Sequence, residues 1–195
     1  MLSLPGKATT QFAATTKGGI SVSADASVGF LYSPVSEIPG RGRFLTWRWR
    51  VDAAPPPTDL SAKGMDNRPL AVHVWFGNKD DAVPDWDLGT RLGAWLFDRP
   101  LPGKMLTYVW GGTAQRGDRL RNPYRENAAH LIVLRPGGSR LGRWFRETVD
   151  VAGDFKAIFG YPPGPPAYLA ISADTDDKGG TSTGVVADLA FTDAP

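Results

Sequence analysis

Phe44-Leu45-Thr46-Trp47-Arg48-Trp49-Arg50-Val51 is the stretch on which the fold turns. Successive side chains of a β-strand point to opposite faces, so the run separates into two rows. Leu45, Trp47, Trp49 and Val51 form an apolar row, and Phe44, Thr46, Arg48 and Arg50 form the other. Two indoles on one face suit the interior of a sandwich. Two guanidiniums on the opposite face need water, carboxylates or a ligand.

Working outward, residues 70–76 alternate in the same way. Leu70, Val72, Val74 and Phe76 face one side, and Ala71, His73 and Trp75 the other. Short apolar runs at 92–97, 105–110, 129–135, 142–149, 168–173 and 185–191 are punctuated by Pro and Gly clusters, as strands joined by turns would be. Residues 19–24 and 27–32, separated by Asp25-Ala26, read as a hairpin or as consecutive edge strands. Residues 111–127 are polar and Arg-rich and read as an exposed loop. One helical turn is expected at 152–159, with Phe155, Ile158 and Phe159 on one side and Gly160 at its end. Strands do not alternate with long helices, which argues against a parallel α/β sheet. The expected fold is a single all-β domain over 1–195, an antiparallel β-sandwich of jelly-roll type with one short helix.

Composition removes several function classes. With 22 Lys and Arg against 20 Asp and Glu, the net charge of +2 is too small to imply nucleic acid. The arginines do bunch, at 116, 119, 121 and 125 and again at 135, 140, 143 and 146, a pattern that usually marks a solvated face. No apolar run is long enough to span a membrane. The absence of cysteine excludes disulfides and thiol catalysis. Two histidines without cysteine are a poor zinc set, and neither sits near a Gly-x-Ser-x-Gly elbow. The first residues carry no charged and then apolar leader pattern.

Four segments together resemble a bacterial family, domain of unknown function 3047. They are 45–51; the loop holding Asp59, Lys63, Asp66 and Asn67; Asp154-Phe155 with Phe159-Gly160 and Pro163; and 171–176 followed by 188–191. The family usually has a second aspartate where this chain has Asn67. The resemblance implies a sandwich-like fold and export to the periplasm or the medium, and brings no established activity.

Residue chemistry then offers three candidate sites. Arg48, Arg50, Lys63, Asp66 and His73, with Tyr108 nearby, would neutralise a uronate and move protons if the Trp strand and the 70–76 strand were neighbours. The plainer reading pairs Asp59 and Asp66 with the cations to pin the loop. Trp75, Trp95, Tyr108 and Trp110, edged by Arg48 and Arg50, would form a platform on which the C–H faces of sugars stack; packed under loops, they are a satellite core. Asp174, Asp176 and Asp177, or separately the 80–87 loop, would ligate Ca²⁺, or cap a turn. No other cofactor is implied. Three readings of function follow: a binder of carbohydrate or a similar polar ligand, a lyase or hydrolase of an acidic polysaccharide, and a structural or protein-interaction domain.

Overall fold

In the computed structural model, which describes residues 1–3, 6–77 and 103–195, the chain is a succession of strands with one helix. The elements are β1 (Leu2–Ser3), β2 (Gln11–Ala14), β3 (Ile20–Asp25), β4 (Val28–Pro34), β5 (Phe44–Ala53), β6 (Arg68–Phe76), β7 (Lys104–Trp110), β8 (Arg119–Arg121), β9 (Ala129–Arg135), β10 (Phe145–Asp150), α1 (Val151–Phe159), β11 (Pro166–Asp174) and β12 (Thr181–Thr192). They form a seven-stranded sheet in the order β1-β4-β11-β6-β7-β9-β8 and a five-stranded sheet in the order β10-β5-β12-β3-β2. The protein is an all-β sandwich.

The alternation of β5 decides which surface is the core. Leu45, Trp47, Trp49 and Val51 are fully buried, and the residues between them are only half-buried. They meet Leu70, Val72, Val74 and Phe76 of β6, Leu106, Tyr108 and Trp110 of β7, and Ile171 of β11. The rings interlock edge to face: Trp47 and Trp49 lie 5.4 Å apart at 89°, and Trp49 and Trp110 5.7 Å apart at 71°. Aromatic pairs prefer this arrangement because the positive ring edge meets the negative ring face.

A smaller apolar cluster lies on the outer side of the seven-stranded sheet, where Leu60 packs on Ala71, Val109, Leu131 and Val133. Gly112 makes room for it. A Cβ there would sit 2.9 Å from the Leu60 side chain, and the backbone has φ of +78°. At the other end, α1 closes the sandwich by setting Phe155 4.5 Å from Phe76. Its start is capped by the Asp150 side chain, which accepts from the Gly153 N–H at 3.0 Å, and its end by left-handed Gly160.

Three expectations are corrected. β3 and β4 are not a hairpin: they belong to different sheets, and the chain crosses between them at Ala26, whose φ is +41°. β5 and β6 are not neighbours either, since they face each other across the core. The sandwich is also not wholly antiparallel, because β7 and β9 run parallel. Their connection is long enough for a crossover, and within it β8 pairs antiparallel with the far side of β9. The expected strand at 92–97 and the acidic 80–87 loop lie outside the described residues. Among the described residues no helix is long and apolar enough to cross a membrane.

Candidate functional site

Strand register builds an aromatic and polar surface on the outer side of the seven-stranded sheet. Ser172 and Ala170 of β11 stand opposite Phe30 and Tyr32 of β4. On the other flank, Ala170 and Tyr168 stand opposite His73 and Trp75 of β6, and His73 opposite Thr107 of β7. Phe30, Tyr32, Trp75 and Tyr168 are all part-exposed. Phe30 lies 6.3 Å from Trp75, and Tyr32 meets Tyr168 edge-on at 6.1 Å.

His73 lies beneath these rings, 1% exposed, stacked on Trp75 at 5.5 Å and 16°. Its Nδ1 shares a hydrogen bond with Thr107 Oγ1 at 3.0 Å and its Nε2 one with Ser172 Oγ at 2.7 Å. Burial, helped by the Arg68 charge, holds its pKa well below the ordinary range, so the imidazole is neutral. A neutral ring donates through one nitrogen and accepts through the other, which ties β11, β6 and β7 together in the middle of this face.

An aspartate cluster occupies the end where β6 starts and β11 finishes. Arg68, 4% exposed, pairs with Asp66 and, at 3.3 Å, with Asp174. Asp176 pairs with Lys7. Asp177 accepts from the Tyr124 hydroxyl and from the Asp66 N–H, each at 2.9 Å. Burial pushes the Asp174 pKa up to about 8 against the pull of Arg68, so at neutral pH it keeps its proton. Burial also raises Asp66. For Asp176 burial acts upward too, but hydrogen bonds with Asp174 and Lys7 outweigh it and hold it low. For Arg68 the desolvation cost is outweighed by Asp66 and Asp174, and its pKa is raised.

The outer face of the five-stranded sheet carries Arg48 and Arg50. Arg48 pairs with Asp188 at 2.5 Å and Arg50 with Asp52 at 2.8 Å. Both guanidiniums lie over the Trp144 ring, at 4.8 and 5.2 Å from its centroid. On the inner side of the neighbouring strand, Glu147 is 3% exposed and takes hydrogen bonds from Arg135 at 2.5 Å, Trp49 at 3.1 Å and Arg116 at 3.2 Å.

The family model described as Protein of unknown function (DUF3047) matches residues 1–190. The chain belongs to this family. No curated protein matches it closely enough to serve as a relative. Two of the segments that carry the DUF3047 resemblance meet in space: the loop around Asp66-Asn67 joins the turn after β11. The Asn67 amide donates to the Gly179 carbonyl at 2.9 Å, and its oxygen accepts from the Lys178 N–H at 3.1 Å. The second bond suits an aspartate as well. The first requires the amide, so Asn67 is matched to its place.

In this DUF3047 chain the expected residue sets come apart. Arg48 and Arg50 lie on the outer face of one sheet and His73 on the outer face of the other, with the whole core between them. Tyr108 points into that core, 0% exposed, and its hydroxyl donates to Asp154 at 3.1 Å. Burial, reinforced by Asp154, raises its pKa well above the ordinary value. The uronate-neutralising set of Arg48, Arg50, His73 and Tyr108 is therefore not assembled, and exposed Lys63 does not join it. Asp66 does serve to pin its loop, through Arg68 of the adjoining strand.

The aromatic platform is corrected in its membership. Trp110, 1% exposed, shares the core with Tyr108, so neither can stack on a ligand; Trp75 faces outward, and Trp95 lies outside the described residues. Phe30 and Tyr168 flank Trp75, and Tyr32 meets Tyr168 beyond them. Phe30 and Tyr32 are two apart on one strand, a spacing that marked them as sharing a face. Glu147 was also findable: it is a carboxylate in the inward row of Phe145 and Val149. The aspartates 174, 176 and 177 each have a protein partner, and among the described residues no three acidic or histidine side chains form a set able to hold a metal ion.

Proposed function

We propose that the protein binds carbohydrate on the outer face of the seven-stranded sheet. The observation that supports this reading is the row of part-exposed rings, Phe30, Tyr32, Trp75 and Tyr168, carried side by side on β4, β11 and β6. Flat rings on a rigid sheet offer apolar surface to sugar C–H groups at little entropic cost, because the strands hold them in place before the ligand arrives. Ser172, His73 and Thr107 brace the sheet beneath the rings. The role is binding without turnover, since the groups that would act on an acidic polysaccharide are divided between opposite faces.

Calorimetry against a broad glycan panel tests the reading. At least one oligosaccharide should bind, and Trp75→Ala should weaken it about tenfold with the melting temperature nearly unchanged. An unchanged affinity in that variant, or a panel without a ligand, would reject it. A protein recovered as the sole partner would favour the interaction-domain reading instead.

A further inference from the structure

The opposite face of the sandwich carries a second set of groups that the aromatic row does not use. We infer that the outer surface of β10 and β5 is a separate site for a carboxylated glycan chain, with Arg48, Arg50 and Arg146 as its charged contacts and Trp144 as its stacking surface.

Register brings the cations together. Arg146 stands directly opposite Arg48 across the β10–β5 pair, and Arg50 lies two residues along on the same face. Like charges placed directly opposite on neighbouring strands destabilise a sheet unless something answers them. Arg48 and Arg50 are partly answered by Asp188 and Asp52. Arg146 is exposed and makes no ion pair among the described residues. Arg140, in the turn leading into the strand, is exposed as well, whereas Arg143 lies over the inward-row Phe145 ring.

Counting Arg140, four arginines against two aspartates leave this patch at +2, equal to the net charge of the entire chain. The protein is therefore polarised, and this face draws anions.

The geometry favours a flat ring bearing a carboxylate. Asp52 accepts a hydrogen bond from Arg50 Nη2 at 2.9 Å, and its carboxylate lies 2.8 Å from Nε, which holds that guanidinium beside Trp144. Arg48 is held through Nε by Asp188, leaving its terminal nitrogens to receive an anion. Asp188 itself has φ of +57°, at the irregularity in the β12–β5 register. Few non-glycine residues adopt that conformation, and here it carries the carboxylate that holds Arg48. Trp144 is part-exposed beside both guanidiniums, so a sugar ring can lie on the indole while its carboxylate reaches Arg48 or Arg146. Asp25 is two strands away.

The test uses the full chain and polygalacturonate, with neutral dextran and duplex DNA as comparison probes, titrated at 50 and 300 mM salt. Polygalacturonate should bind, dextran should not compete, and affinity should fall steeply with salt as the charges are screened. Arg146→Ala should weaken binding about tenfold. Arg146→Glu should weaken it further, and neither variant should melt below the parent, because each removes a like charge from opposite Arg48. Trp144→Ala should also weaken it, whereas Trp75→Ala should leave it unchanged. That last arm separates the two sites: loss of polygalacturonate binding in Trp75→Ala would place this ligand on the other face. No binding at 50 mM salt, no effect of Arg146→Glu, or equally tight binding of DNA would each overturn the inference.

Discussion

Replacing Glu147 with alanine would leave Arg135 directed into the sandwich with nothing to answer its charge. Removing one partner from a buried pair costs more than the pair itself contributes, so Glu147→Ala should destabilise the fold by about 3 kcal/mol in urea denaturation. Glu147→Gln should cost less, because it still accepts from the Trp49 indole. Equal losses in the two variants would show that the charge of Glu147 is irrelevant. Asp174 and His73 govern the response to pH. Asp174 titrates at about 8 when folded against 3.8 ordinarily, so the native state holds a proton that the unfolded chain has released. Stability therefore falls as pH rises from about 4 to about 8, and Asp66, also raised, acts in the same direction. His73 works the other way: the unfolded chain takes up its proton first, so stability falls as pH drops below 6.5. From pH 6.5 to 8 the carboxyl slope stands alone of the two. Melting temperatures of Asp174→Asn should be flatter than wild type across that window, and an identical slope would assign the dependence to other groups.

At the scale of the element, β5 gives the sharpest contrast between the two sides of a strand. Trp47→Ala should cost about 3–5 kcal/mol, because the cavity would open among Trp49, Tyr108 and the β6 row. Arg48→Ala, with a side chain 39% exposed, should stay within about 1 kcal/mol. Denaturation curves that reversed this order would reverse the faces. The alternation behind this prediction is visible in the primary structure, as are the α1 stop at Gly160 and the outward set of Ala71, His73 and Trp75. Alternation, however, states only which residues share a face. It does not state which face is wet, and so Tyr108 and Trp110, which share one side of β7, read equally as a sugar platform or as packed rings, and they belong to the core. A tyrosine and a tryptophan carry a polar atom and read as surface; within the sandwich the Tyr108 hydroxyl satisfies itself on Asp154 instead.

For the whole molecule, what could not be read was adjacency. The partner of a strand depends on long-range packing rather than on its own residues. Thus Arg48 and His73, each correctly placed on a side opposite the apolar row, end on opposite surfaces of the protein. The same arrangement gives the fold two independent outer faces, one aromatic and one basic, with a shared core that neither ligand would touch. The position of β12 has a consequence for how the protein is made. It lies between β5 and β3 in the small sheet and follows in the chain every strand it joins. On the ribosome, about 130 residues must be added after β5 before that partner emerges, roughly 6 to 26 seconds of synthesis. Throughout that interval β5 presents an unpaired edge and β3 stands apart from it, so the small sheet cannot close. The small sheet is therefore completed only once residues 181–192 have left the exit tunnel.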